Sequence, residues 1–315
     1  MNERIRNRTY LPFFAMTCAV LWALAYPLIK LGFRELGISA DDIGSRILFS
    51  GIRFFTAGIL VLFFSRFKNV DQVRERPSLW GWLFLFALVN TYLHYLTSYI
   101  GLAYIPSSRG TIVDSSGSFI LILLSCLLFS DDTLTNSKIL GCILGFSGIL
   151  LLNLEPGQSF FENISLRGDG MVFLNAVCAA LGGILSRLLS RRMDMTAATG
   201  ISMTLGGAGL LLTGAAAGVG APWNITPLGI AVTVALAMIS AVSFTIYNTL
   251  LGYHPMSSVA IYNAFIPVFG VIFAHLILGE PFRLKYLVCG LLVAAGIITV
   301  NRGKAVRQPR AAAHA

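Results

Sequence analysis

The sequence predicts an all-α membrane protein with ten transmembrane helices, arranged as two inverted five-helix repeats. Three observations predict it: an apolar composition, ten separate apolar runs, and a pattern that occurs twice. The chain is 56% hydrophobic and only 12% charged, with a mean hydropathy of +0.77. Soluble domains carry about a quarter charged residues. A helix needs roughly 20 mostly apolar residues to cross a bilayer, and such runs fall at 11–31, 45–65, 79–102, 108–129, 137–154, 169–189, 197–218, 227–250, 256–278 and 284–300. The connections are short, so no soluble domain is expected.

The first run follows Arg4, Arg6 and Arg8, and Ala23-Leu24-Ala25 imitates a signal-peptidase site. The run continues through Pro27 to Ile29, so an uncleaved first helix is expected. A net charge of +9 and a pI of about 9.6 invite a nucleic-acid partner, but the charge placement points to topology instead. Arg4, Arg6, Arg8, Arg66, Lys68, Arg74, Arg76, Lys138, Arg187, Arg191, Arg192, Arg302, Lys304, Arg307 and Arg310 fall on one side of the predicted membrane. Lys30, Arg34, Arg46, Arg109, Arg167, Arg283 and Lys285 fall on the other. Fifteen against seven places both termini in the cytoplasm of a cell (inner) membrane protein. Lys30 and Arg187 read as interface anchors on opposite faces. Cys18, Cys126, Cys142, Cys178 and Cys289 all lie inside apolar runs without a CxxC pair, as small buried side chains do.

The repeat appears when the last two spans are shifted by 149 residues. LILGEPFRLKYLVCG then lies on CLLFSDDTLTNSKILGC, with Glu280 on Asp131 and Gly290 on Gly141. A shift of 157 lays AVLWALAYPLIK of span one on AVCAALGGILSR of span six. Five spans is an odd number, so the second copy starts from the opposite face, and the boundary falls between 1–155 and 156–315. Inverted repeats are a transporter design: two similar halves give similar inward-open and outward-open states, with the solute bound where they meet. Pro267 is expected to kink or loosen span nine, Gly279 to cap it, and Pro281 to open the next segment. Glu280 reads as an interface residue rather than a site residue.

LWALAYPLIKLG (21–32), FSGIRFFTAGIL (49–60), YIPSSRGTIVDSSGSFILILLSCLLF (104–129) and IPVFGVIFAHLILGEPFRLKYLVCGLLVAAGI (266–297) resemble the EamA-type members of the drug/metabolite transporter superfamily. The resemblance covers about 11–152 and 169–301. It implies ten helices, cytoplasmic termini and secondary transport of small metabolites. The first repeat departs from the pattern at Ser118 and at Phe129-Ser130-Asp131, where a proline and a Leu-Gly-Glu turn are usual.

Polar residues inside spans are costly and therefore functional candidates. Arg53 in span two and Asp114 in span four are the charged ones; they are either a buried ion pair fixing helix packing or binding groups. A carboxylate at that depth otherwise carries a proton, which would make protons a coupling partner. Arg109 opens span four near the outer interface, where it can snorkel; five residues from Asp114, it lies on another face. NTYLHYLTSY of span three brings His94, Tyr95 and Tyr99, with Tyr247 and Asn248 at the corresponding place in span eight and Tyr262 and Asn263 in span nine. Hydroxyls, amides and rings of this kind suit a small amphipathic solute with hydrogen-bonding ends, amino-acid-like or other, and equally interfacial anchoring or helix–helix bonding. His94 reads as a proton carrier or a satisfied core histidine, and Trp22 as path lining or packing. The glycine-rich stretches of spans six and seven read as close helix packing.

No cofactor, metal or nucleic acid is expected, and the protein would act as a monomer or homodimer. A membrane-embedded enzyme would need convergent acid/base or metal groups, and the four histidines are scattered. No Walker motif supports a primary pump. A channel would give no reason for an inverted repeat; single-channel currents separate it from a carrier.

Overall fold

The computed structural model describes residues 5, 7–65, 73, 76–128, 134–151, 164–220, 222–254 and 256–302. Regular structure among them is entirely helical. In chain order the helices are α1 (Leu11–Glu35), α2 (Ile43–Phe64), α3 (Leu79–Gly101), α4 (Ser107–Leu128), α5 (Asn136–Leu151), α6 (Leu166–Ser190), α7 (Met195–Ala217), α8 (Pro227–Tyr253), α9 (Tyr262–Leu278) and α10 (Leu284–Arg302). Seven of the described helices, α1–α4 and α6–α8, are long and apolar enough to cross a membrane; α5, α9 and α10 are shorter apolar helices. The acidic turn at Asp131 and the basic residues Arg4, Arg6, Arg66, Lys68, Arg74, Lys304, Arg307 and Arg310 lie outside the described residues.

Local chemistry sets the helix ends. Asp42 caps α2 by accepting the Ser45 N–H at 2.9 Å. Asp194 caps α7 by accepting from Thr196 and Ala197 at 3.0 and 3.1 Å. Pro227 sits in the first turn of α8, where its missing N–H is not needed. Gly279 closes α9 with φ 67°, the left-handed cap that glycine adopts without strain. Pro267 corrects one expectation. It stands in the first turn of the α-helical part of α9, directly after a 3₁₀ segment, Ile261–Phe265, and so lies at a change of helix type rather than inside a kinked helix.

The helix pairings are symmetric under exchange of the two halves. α2 packs on α7, α5 on α10 and α4 on α9; α1–α8 is matched by α6–α3, and α1–α9 by α6–α4. The α2–α7 seam is the closest of these. Gly44, Gly51 and Gly58 on α2 face α7, and Gly200, Gly207 and Gly214 on α7 face α2, each set spaced seven residues apart. A Cβ on Gly51 would stand 2.6 Å from the Leu211 backbone nitrogen, and one on Gly214 would stand 2.5 Å from that of Leu48. Backbones that close leave no room for any side chain. α2, packed in this seam, carries Arg53.

Candidate functional site

Two interrupted helices and one widened helix create the site. α4 breaks between Ser107–Asp114 and Ser116–Leu128. At the break Ser115 donates its hydroxyl to the Thr111 carbonyl at 2.8 Å, a back-bond that bends helices. The break leaves Asp114 at mid-helix. α9 is 3₁₀ over Ile261–Phe265, which carries Asn263. α3 widens to a π-helix over Leu88–Leu93, just before His94; such bulges re-aim side chains and are common at functional sites.

These irregularities surround a cavity of about 120 Å³ lined by both halves. Of the residues singled out from sequence, Trp22, Arg53, His94, Tyr95, Asp114, Tyr247, Asn248 and Asn263 line it. Tyr99 and Tyr262 do not. Tyr99 is fully buried behind Arg53, and Tyr262 packs beside the cluster of Cys18, Ile246 and Leu250.

Arg53 is 1% exposed. Its Nε donates to Ser240 Oγ at 2.8 Å and to the Leu236 carbonyl at 3.2 Å, and its Nη1 donates to the Tyr99 hydroxyl at 3.0 Å. Its guanidinium lies 4.8 Å from the Phe54 ring centre. Nη2 has no described partner. Hydrogen bonds and rings hold the guanidinium in place, but no carboxylate among the described residues pairs with it. The expected alternative of an Arg53–Asp114 ion pair is not found: among the described residues the ion pairs are Arg34–Glu35 and Arg109–Asp169. Arg109 is held by the second of these pairs. Its Nε and Nη2 donate to the two oxygens of Asp169 at 2.6 and 2.9 Å, joining α4 to the start of α6.

Asp114 is held by neutral groups. Asn175 Nδ2 donates to Asp114 Oδ1 at 2.5 Å, and Tyr26 lines the same cavity. On the second half's side, Asn263 Nδ2 donates to the Tyr247 hydroxyl at 3.0 Å. Asn248 donates to Thr199 Oγ1 at 2.9 Å, tying α8 to α7. Trp22 packs edge-on against Tyr247 at 4.6 Å and lies 5.3 Å from Phe244. His94 stacks on Tyr95 at 4.4 Å. Trp22 Nε1 and His94 Nδ1 are buried without a hydrogen-bond partner. An unpaired buried polar atom costs roughly 1–3 kcal/mol, so two of them at one cavity wall favour a ligand that pairs with them.

Tyr26, Asn175, Ser240 and Phe244 were not visible as site residues in the sequence. Asn175 carried a signal, being an amide within the apolar run MVFLNAVCAAL. Tyr26, Ser240 and Phe244 carried none, since a lone tyrosine, serine or phenylalanine in a span is ordinary packing.

The fold and cavity together define a polytopic helical membrane protein with two matching halves around a polar centre. The chain belongs to the EamA-like transporter family: that family's profile matches residues 10–154 and again 166–302. It is similar to the uncharacterized transporter YvbV of Bacillus subtilis, 27% identical over 90% of this chain and 88% of the relative. An uncharacterized transporter of Synechocystis is 29% identical over 89% of this chain and 84% of its own length. A WAT1-related chloroplastic protein of Arabidopsis thaliana is 26% identical over 80% of this chain and 62% of its own length. One crystal structure superposes with a TM-score of 0.69 at 16% identity, covering 96% of this chain and 100% of that one; identity that low speaks to fold alone. The protein is a multi-pass membrane transporter of small solutes.

Proposed function

We propose that this protein is a secondary transporter exporting a small amino-acid-like solute across the cell (inner) membrane by alternating access. The observation that carries this reading is the separation of two unlike charges in one cavity. Arg53 offers a free Nη2 to a carboxylate, and Asp114 offers a carboxylate to an ammonium group, beside the rings of Trp22 and Tyr247. A zwitterion satisfies both at once, and the unpaired Trp22 Nε1 and His94 Nδ1 add hydrogen bonds. Tyr99 then positions Arg53 rather than touching the solute.

In this reading all ten helices span, residues 1–155 and 156–315 are inverted copies, and both termini are cytoplasmic. The exchange-symmetric pairings favour it, because two alike halves can trade inward-open and outward-open roles. The chain works as a monomer or homodimer. Protons couple through Asp114, whose hydrogen-bonding neighbours are neutral, leaving it able to exchange a proton for the solute's ammonium group.

The test is uptake and counterflow in proteoliposomes across amino acids, amines, sugars and phosphates. Amino acids should compete for one site, and a preference for sugars would overturn the reading. Reporter fusions at Lys68, Arg191 and the C-terminus should report cytoplasm and one at Gly157 the outside; an external C-terminus would remove the inverted repeat.

A further inference from the structure

α2 carries a second buried guanidinium. Arg46 stands seven residues before Arg53, so the two lie on nearly the same helix face, about 10.5 Å apart along the axis at 1.5 Å per residue. Arg46 is 5% exposed. Its Nε donates to the Ser39 carbonyl at 2.7 Å, and its guanidinium lies 4.2 Å from the Phe33 ring centre. Nη1 is buried with no hydrogen-bond partner.

The surroundings make this position more positive. Arg46 lies in the first turns of α2, near the positive end of the helix dipole. Lys30 of α1 stands one turn before Phe33, whose ring the Arg46 guanidinium covers; it feels the charges of both Glu280 and Arg46 and has no ion pair among the described residues. The nearby acids are occupied or exposed. Asp42 accepts from the Ser45 and Gly220 N–H groups through its two oxygens. Glu280 accepts from Ser107 and Ser108 through both of its own. Asp41 is exposed. Asp41, Asp42 and Glu280 act on these cations only from a distance, since none forms an ion pair with them among the described residues, and the buried, unpartnered Arg46 Nη1 is unfavourable unless an acceptor arrives.

We propose that Arg46 and Lys30 form an outer anion site, which takes the carboxylate of the solute on its way between the cavity and the outer face. The site's place on the route rests on the proposed function of the cavity; the site itself does not. A carboxylate leaving Arg53 would meet Arg46 two turns along the same helix face. The guanidinium pairs with both carboxylate oxygens, and Lys30 adds a point charge.

The experiment is equilibrium dialysis of the purified, delipidated full chain with radiolabelled benzoate, with unlabelled benzamide as the uncharged competitor. The wild type is expected to bind two benzoates that benzamide does not displace. Arg46→Gln should bind one, its outer affinity falling roughly tenfold, the loss expected for one charged hydrogen-bonded pair. Arg46→Lys should retain two, and gel filtration would report its fold. If Arg46→Gln does not fold, Lys30→Gln decides: a weakened outer site supports the proposal, and an unchanged one overturns it. Two unchanged sites in Arg46→Gln would also overturn it. So would native mass spectra in which the wild type retains an anionic lipid that Arg46→Gln loses, with no outer benzoate site in either. Arg53→Gln should lose the other benzoate; if it does not, the cavity reading fails while the Arg46 result still stands or falls alone.

Discussion

In the first half, α4 breaks at Asp114 and Ser115; in the second, α9 turns 3₁₀ over Ile261–Phe265. A shift of 149 residues carries Asp114 onto Asn263, so the two halves interrupt the same helix at the same depth and place an aspartate in one copy and its neutral near-isostere in the other. The same holds around the cavity. A shift of 157 carries Trp22 onto Ala179 and Tyr26 onto Gly183, all four lining it. A shift of 156 carries Arg53 onto Gly209, while Gly44, Gly51 and Gly58 fall on Gly200, Gly207 and Gly214. The halves thus agree where helix packs on helix and differ where they face the cavity. In the proposed transport cycle, symmetric packing would let the two halves exchange roles, and asymmetric lining would give a solute one orientation.

The largest expected effect breaks the shared part. Gly207→Val would drive a side chain into the Phe55 backbone, and overpacking against backbone should cost roughly 3 kcal/mol or more. Little monodisperse protein should survive detergent extraction and gel filtration. Gly81→Val is the control, since a Cβ there meets nothing within 4 Å. Normal yield of the Gly207 variant would mean that the seam is looser than the backbone distances require.

Next is the unshared part. Asp114→Asn makes the two halves alike at this position. Asn175 Nδ2 can still donate to an amide oxygen there, so folded yield should hold. Substrate-driven pH change in proteoliposomes should fall at least tenfold, as expected for loss of a proton-carrying group, while solute exchange continues at a raised half-saturating concentration, because the ammonium group loses its charged partner. Unchanged proton movement with normal yield would leave Asp114 without either role.

The fold was legible because its signals are periodic. Ten apolar runs and a twice-written pattern survive even at 149- and 157-residue separations. The glycine seam was equally written, at intervals of seven in both halves, but glycine-rich spans were read only as general packing. The cavity was legible in part. Charged and amide groups in apolar spans reveal themselves by cost, which is how Arg53, Asp114, Asn248 and Asn263 stood out. Their partners did not, because contacts such as Arg53 with Ser240 join residues 187 apart. Helix rotation was also hidden: it puts Tyr95 on the cavity wall and Tyr99 behind it.

Tyr99 and Asn248 sharpen the comparison at a smaller scale, since a shift of 149 carries one onto the other. Tyr99→Phe removes the hydroxyl that accepts from Arg53 Nη1, worth about 1 kcal/mol. The half-saturating concentration of carboxylate-bearing solutes should therefore rise about fivefold, with little change for their amides. Asn248→Ala instead removes the tie to Thr199 and should lower folded yield as well as transport. Equal effects of both substitutions on amides and carboxylates would place Tyr99 in structure only.

The smallest effect is at one end of the bundle, where the halves touch through Glu280. Its Oε1 accepts from the Ser107 N–H at 2.8 Å, and its Oε2 accepts from the Ser108 N–H and hydroxyl at 3.2 and 2.6 Å. A carboxylate from the second half thus caps α4 of the first, a structural role for a residue that does not line the cavity. Capping donors at a helix N-terminus prefer a charged acceptor, and the interaction is worth about 1 kcal/mol. Glu280→Gln keeps one acceptor oxygen and loses the charge, so the unfolding midpoint should fall by about 1–3 °C. Glu280→Ala should lower it further. A drop for alanine alone would assign the cap to hydrogen-bond geometry, and no drop in either variant would show that the two halves are not joined there.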